Sequence, residues 1–540
     1  MDYKVMDYKV DEVYLEETLV KVEQVRNWSP RVISKLENFI HTANDEDLFR
    51  VSPLQWAAEK NVEEHEAIDL FLHCSKAWLF YMDWSVICPC CGKITQSLRE
   101  LHSVESESTC NLCFLKEKAT LDDTVQITFT LSPAIRSLRF HHPETLSLDE
   151  YCFKYLFEPS TIVSGIMTLR DAFEYVHRHF SEFSPGEKIT VETEVGVGAL
   201  ACMELYGQQS IGLISNGTAT TEVQRIAVKL TDSGFEVPLP AMQPSEFYVG
   251  PVVLAGVFYQ IRPGKVILEF EHEGSAKGAL LVAFFPVPID GAGSFEMPSN
   301  VTGEISAEAA SYLEKLKDGS SEILRPPANL YSSPRLTARQ LFACQTFHDL
   351  FRAESFRESE GFGVKDVIIL FTDLKSSTQL YHQIGDLNAF ALVREHYGVL
   401  TTAILNQHGA VVKTIGDAIM ATFNQPVEAV RAGLEMLREL GRLNQASQHG
   451  GLILKIGIHR GAAISVTLNE RIDYFGQTVN IAARVQKSAG GDEIYLTEGI
   501  YSSPGVAELL ENYGCNVKSD LIDLKGIEEQ VKIYKVSGPN

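Results

Sequence analysis

No apolar run in this 540-residue chain is long enough to cross a bilayer as a helix. The longest, around Tyr248 to Ile261 and Gly278 to Ile289, are broken by Gly or Pro short of the ~18 to 20 apolar residues such a helix needs. No membrane span is expected. The start lacks the basic-then-apolar pattern of a secretory signal, consisting instead of Met1-Asp2-Tyr3-Lys4-Val5 repeated as Met6 to Val10. A basic excess is missing too: 47 Lys and Arg stand against 71 Asp and Glu, a net charge of −24. The stretch from Lys365 onward holds only 16 of the bases and 19 of the acids, so the acidity is concentrated upstream, where it repels phosphate backbones and argues against a nucleic-acid partner. Ten cysteines are too few for a disulfide scaffold. What is present, 45% apolar and 22% charged residues, describes a soluble globular chain of roughly three or four domains at about 150 residues each.

Half of the cysteines fall within 26 positions. Cys88-Pro89-Cys90-Cys91-Gly92 and Cys110-Asn111-Leu112-Cys113 form two C-x2-C pairs separated by 18 residues, a zinc-ribbon spacing. Cys88, Cys91, Cys110 and Cys113 would close a tetrahedron of thiolates around a structural zinc ion, with no open position for catalysis. Cys90 is the surplus thiol, because Gly92 permits the tight backbone of a knuckle after Cys91. Free or redox-active thiols are the alternative reading. A thiolate zinc site implies a reducing compartment, hence the cytoplasm.

Residues 1–30 read as an N-terminal extension and 31–121 as a helical pair plus the zinc ribbon. Ser52-Pro53 caps one helix and a second runs from about Val62 to Leu79. The pair resembles a winged helix, but Glu63, Glu64, Glu66 and Asp69 against a single Lys76 favour a packing module over DNA binding. From 122 to 290 short strands such as Val125 to Leu131 alternate with turns and suggest a β-sandwich or barrel, interrupted by a helix near Leu169 to Phe180. No catalytic cluster stands out there. Residues 291–360 form a linker, with one helix around Ala307 to Lys317 and another, apolar-striped, from Thr337 to Glu354, placed to transmit strain or mediate dimer contact.

The last third carries the chemistry. Val367 to Phe371 is an apolar run, so a strand buried on both faces, and Asp373 sits at its end. A helix from Asp386 to about Gln407 follows, then two strands joined by Gly416-Asp417. Two carboxylates so placed suit a pair of hard divalent cations whose coordination phosphate oxygens complete. Asn480 and Arg484, four apart on a helix entered near Gly476, present an amide and a guanidinium on one face.

Phe371-Thr-Asp-Leu, Lys413-Thr-Ile-Gly-Asp417 and Asp473-Tyr-Phe-Gly-Gln-Thr-Val-Asn480-Ile-Ala-Ala-Arg484, with Asp523-Leu-Lys525-Gly526 beyond, resemble the signature segments of class III nucleotidyl cyclases. The resemblance covers about Val364 to Val536, a third of the chain. It implies a multidomain α+β protein whose C-terminal domain, 361–540, is a ferredoxin-like α/β sandwich. It also implies that Asp373, Asp417 and the carbonyl of Leu374 bind two Mg2+ or Mn2+ ions, that Asn480 orients the ribose and Arg484 neutralises the α-phosphate, and that Lys525 grips the terminal phosphates. Lys413 and Asp473 would select adenine, where guanylate cyclases typically carry Glu and a small polar residue. The activity implied is therefore conversion of ATP to cyclic AMP and pyrophosphate. Both halves of the site on one chain imply a head-to-tail homodimer. The family usually has Gly where Ser376 stands, which bears on rate and nucleotide affinity. The upstream segments resemble the N-terminal region of a group of soluble bacterial cyclases and would answer to an unknown regulatory ligand or protein. A degenerate cyclase-like binding or dimerising module is the alternative, weakened because no signature residue is lost.

Overall fold

The computed structural model describes residues 9–89, 92–110, 116–164, 167–207, 209–239, 246–249, 252–255, 257–285, 332–375, 385–446, 451–527 and 529–538. The chain opens with four helices, Glu12–Glu23, Val32–Thr42, Pro53–Lys60 and Glu64–Lys76. Ser52 caps the third as its pattern anticipates, its side chain accepting from the Gln55 N–H, with Pro53 in the first turn. These helices lie on an antiparallel sheet of strand order Leu336–Thr337, Val125–Leu131, Phe80–Ile87, Ile94–Leu98. Val125–Leu131, expected to open the β-rich segment, thus pairs with Phe80–Ile87 from the N-terminal part. Its alternation is real, but both faces are buried. Phe129 packs against Phe71 at 5.4 Å, while on the other face Thr130 donates to Asp83 at 2.9 Å.

Two further sheets form a sandwich. One has the order Phe258–Ile261, Gln209–Ser215, Gly198–Glu204, Gly278–Phe285, His177–Phe183; the other has Gly234–Glu236, Gln224–Thr231, Gly264–His272, Lys188–Val195. Leu200, Leu213, Val228 and Leu268 share the core between them. The helix expected to reach Phe180 stops at Val176, because His177–Phe183 is recruited as an edge strand beside Gly278–Phe285.

The helix expected over Ala307 to Lys317 lies outside the described residues. That expected over Thr337 to Glu354 is two short helices, Ala338–Phe342 and Gln345–Leu350, with Cys344 extended between them. The break has a packing cause. Residues five apart on a straight helix point about 140° away from each other, yet Phe342 and Phe347 both pack on Trp84 at 6.1 Å.

The C-terminal domain is built on an eight-stranded sheet ordered Ala410–Ile415, Ala418–Phe423, Gly361–Leu374, Leu454–Leu468, Glu493–Thr497, Val531–Ser537, Asn516–Ile522, with Arg471–Phe475 pairing to Leu454–Leu468 off this path. The apolar run is buried on both faces, as expected, and by different parts of the molecule. Ile368 and Leu370 join a core with Leu400 and Ile404 of helix Asp386–Asn406 and with Val430 and Met436 of helix Pro426–Ala446. Ile369 and Phe371 face the opposite way, into a core that runs without interruption through Phe362, Phe356 and Phe342 to Leu36 and Leu15 in the first helices. Polar contacts reinforce this junction: Leu121 N–H donates to Gly363 O at 2.9 Å, Lys365 N–H to Asp122 Oδ2 at 2.5 Å, and Arg339 pairs with Asp122 at 3.3 Å. Among the described residues no helix is long and apolar enough to cross a membrane.

Candidate active site

The site is assembled at the ends of adjacent strands. Asp373 sits one residue before the end of strand Gly361–Leu374, and Asp417 lies in the turn joining Ala410–Ile415 to Ala418–Phe423. Gly416 adopts φ +63°, the left-handed conformation that a two-residue hairpin requires and that lacks a steric penalty only for Gly. Two contacts fix the turn beside the strand end. Ile419 N–H donates to Thr372 Oγ1 at 3.0 Å, with Thr372 fully buried, and the Tyr397 hydroxyl donates to the Gly416 carbonyl. The neighbour of Tyr397, His396, is fully buried, and burial pushes its imidazole below the ordinary range against the influence of Asp417.

Burial, and then the charge of Asp417, push the Asp373 carboxyl above the ordinary carboxylate range, against the pull of Gln486, Lys455 and Lys487. Asp417 Oδ2 is buried without a hydrogen-bond partner. A carboxyl held above its ordinary range by burial and by its neighbour, beside a second carboxylate with an orphaned oxygen, fits the donor set of hard divalent cations. Leu374 is buried at the end of the same strand. Among the described residues, no three His, Cys, Asp or Glu side chains converge on one point.

The other signature residues fall into two groups. Lys413 Nζ lies 2.5 Å from Asp473 Oδ2; the carboxylate is 9% exposed and the ammonium 35%. Asp473 Oδ1 also accepts from the Tyr474 N–H at 2.8 Å, so this carboxylate is held at both oxygens. Helix Gln477–Ser488 begins after Gly476, at φ +136°, and carries Asn480 exposed and Arg484 half-buried. The Arg484 guanidinium lies against Gly526, where an added Cβ would stand 3.5 Å from it. Gly526, at φ +74°, follows the exposed Lys525. Ser376 lies outside the described residues.

Of the candidate zinc ligands, Cys88 and Cys110 are buried and line one small cavity. Cys91, Cys113 and the surplus Cys90 lie outside the described residues. Gly92 takes φ +68° and donates to the Cys88 carbonyl at 2.9 Å, while the Cys88 N–H donates to Lys93 O at 2.8 Å. These two bonds bring Gly92 and Lys93 back against Cys88.

Residues 362–538 match the family model "Adenylate and Guanylate cyclase catalytic domain". This segment is a class III cyclase catalytic domain. Residues 16–250 match a "Family of unknown function (DUF5939)". The cyclase domain is similar to "Adenylate cyclase" of Anabaena cylindrica, 28% identical over 183 residues, which are 31% of this chain and 36% of that protein. It is also similar to "Adenylate cyclase 1" of Rhizobium meliloti (strain 1021), 28% identical over 158 residues, 27% of this chain and 23% of that one. The chain thus spans about a third or less of these relatives' length. Among solved structures, the adenylyl cyclase CyaB from P. aeruginosa is 22% identical with a TM-score of 0.30, covering 34% of this chain and 97% of that chain. The guanylyl cyclase Cya2 is also 22% identical, with a TM-score of 0.30 and coverage of 33% and 95%.

Proposed function

We propose that the chain is an adenylate cyclase, converting ATP to 3′,5′-cyclic AMP and pyrophosphate at a site completed by a second copy of itself, under the control of its N-terminal region. The observation that carries the choice of base is the Lys413 and Asp473 pair. Asp473, held by the Tyr474 N–H and the Lys413 ammonium, is an acceptor for the exocyclic amine of adenine, and Lys413 has protons left for a ring nitrogen. Guanine would set a carbonyl against the carboxylate and an N–H against the ammonium. Mismatches of this kind commonly cost a few kcal/mol, roughly 10² to 10⁴ in discrimination.

The reaction forms a bond from the ribose 3′ oxygen to the α-phosphorus, breaks the bond to the β-bridging oxygen and releases the hydroxyl proton. Asp373, Asp417 and the Leu374 carbonyl would hold two Mg2+ or Mn2+ ions, whose chemistry there is to lower the pKa of the hydroxyl and to bind the triphosphate. Asn480 orients the ribose, so that the attacking oxygen lies in line with the leaving group. Arg484 offers its guanidinium to the charge that develops at the α-phosphate. Lys525, next to Gly526 and exposed, grips the terminal phosphates. Asp373 and Asp417 act from one copy, and Lys413, Asp473, Asn480 and Arg484 from the other, which makes the homodimer the active form.

Cys88, Cys91, Cys110 and Cys113 hold a structural zinc ion, a reading supported by the return of Gly92 against Cys88 and the cavity shared by Cys88 and Cys110. A cytoplasmic location follows from that thiolate site.

The test is turnover of ATP and GTP by the purified chain with Mg2+ and with Mn2+, across protein concentrations. Cyclic AMP formed at a rate per chain that rises with concentration is expected. Nucleotide binding without any cyclic product under all conditions would overturn the enzymatic reading in favour of a binding module.

A further inference from the structure

One polar side chain of the catalytic domain sits where helix periodicity calls for an apolar one. Helix Gln477–Ser488 buries Thr478, Ala482, Val485 and Gln486 along one face, and Gln486 is only 4% exposed. Its Nε2 is shut off from solvent and has no hydrogen-bond partner among the described residues. A buried amide N–H left unbonded is costly, which points to an acceptor supplied when the site is in use.

Strand register identifies that acceptor. Strands Gly361–Leu374 and Leu454–Leu468 pair Phe371 with Gly457 and Asp373 with Lys455. Gly457 lies directly against residue 486, since a Cβ there would stand 2.5 Å from Gln486 Cα. Phe371, opposite Gly457, shares a core with Ala482 of the same helix. Side chains two apart on a strand share a face, so Asp373 is turned to this helix as well, one pleat further along. That rung is tied to the next helix residue: Lys455 Nζ donates to the Lys487 carbonyl at 2.9 Å. Gln486 thus lies over the rung that carries Asp373. Burial and the Asp417 charge raise the Asp373 carboxyl, and the Gln486 amide is the first of the groups that oppose them. The lysines are placed less well to hold it, because Lys455 is engaged with the helix backbone and Lys487 is exposed.

We propose that Gln486 is a positioning residue of the metal site: its Nε2 donates to one oxygen of Asp373 and fixes the rotation of that carboxylate, leaving the other oxygen to the cations. The inference rests on the two-metal reading above and adds to it the group that aims one of the carboxylates. An amide suits the place by its chemistry. It donates to a carboxylate without cancelling the charge, as a lysine would, and without repelling it, as a glutamate would.

The test is Mn2+ binding to the full, nucleotide-free chain, read from the electron paramagnetic resonance signal of free Mn2+. It compares the native protein with Gln486→Met, Asp373→Asn and the double variant. Methionine keeps the unbranched shape and helix preference of glutamine and drops the amide. The binding that Asp373→Asn removes defines the site. Loss of a partner that orients a metal ligand commonly weakens affinity roughly 10- to 100-fold, so Gln486→Met is expected to weaken that binding about tenfold or more. In the double variant it should add nothing to the effect of Asp373→Asn. The melting temperature of the metal-free Gln486→Met chain is expected to hold or rise, because a buried unbonded amide is removed. Native Mn2+ affinity in Gln486→Met overturns the inference. So does a melting temperature that falls in step with affinity, which would make Gln486 a packing residue, or a full further loss in the double variant. Mn2+ binding untouched by Asp373→Asn would instead overturn the two-metal reading, and the inference with it.

Discussion

Replacing Asp473 with Asn tests how the base is read without changing the shape of the site. The amide keeps the size of the carboxylate and can still accept from the Tyr474 N–H, the 2.8 Å bond that anchors the side chain. What it loses is the charge facing Lys413 at 2.5 Å and the charge-assisted acceptor for the adenine amine. Hydrogen bonds to a charged group contribute about 1.5 to 3 kcal/mol, so kcat/KM for ATP is expected to fall roughly 10- to 150-fold. The same amide can turn its NH2 toward a guanine carbonyl and removes the repulsion at that position, so GTP turnover holds or rises. The ATP to GTP ratio of kcat/KM, from chromatographic separation of the cyclic products, is therefore expected to drop by about 10² or more. The melting temperature should change little, since Lys413 is partly solvated and surface ion pairs contribute only about 0 to 1 kcal/mol. A fall in both activities with an unchanged ratio would refute the reasoning and make Asp473 a support for the Tyr474 strand.

Asp417→Ala is expected to abolish cyclic product while leaving the dimer intact by sedimentation; near-native turnover would overturn the two-metal assignment. Tyr397→Phe removes the hydroxyl that holds the Gly416 carbonyl, a bond worth about 1 kcal/mol, and should lower kcat or apparent Mn2+ affinity roughly fivefold with near-UV spectra unchanged; unchanged metal dependence and rate would show that the turn needs no such support. Glu428, a first-turn residue whose carboxyl burial pushes up to about 6, is protonated in the native state at pH values where the unfolded chain has already lost its proton. Its contribution to stability is therefore greatest in acid and declines as pH rises from about 4.5 to 6. Glu428→Gln should accordingly raise the melting temperature at pH 7, by the equivalent of about 1 kcal/mol after solvent screening, and leave it unchanged near pH 4; a gain that is the same at both would sink the assignment. Removal of zinc by a chelator is expected to melt the N-terminal part first, whereas an unchanged profile after verified metal loss would argue against a structural ribbon.

The catalytic sheet was legible because its signals are local. The run Val367 to Phe371 has no polar residue to present to water, Gly416-Asp417 is a turn by backbone chemistry, and Gly476 opens a helix that places Asn480 and Arg484 four apart. The break at Cys344 was not legible, since it arises from Trp84 collecting Phe342 and Phe347 across more than 250 residues of sequence. The same holds for Val125–Leu131, whose alternation is right but whose partner strand only the fold supplies. Tyr397 carried no separate signal, because a tyrosine on an apolar face reads as packing until its hydroxyl is seen against Gly416.

The family match to the catalytic domain begins at residue 362, but the packing does not respect that point. Phe362 stacks on Phe356 at 4.3 Å, and Ile369 and Phe371 continue a core that reaches back to the first helix. A catalytic fragment cut at the match would be a sheet stripped of its lining, wet on a face that the intact chain keeps dry. The N-terminal part and the cyclase domain are in that sense one solid, and Leu15, Phe71, Trp84 and Phe342 lie in the same core as Ile369 and Phe371 of the strand that holds Asp373.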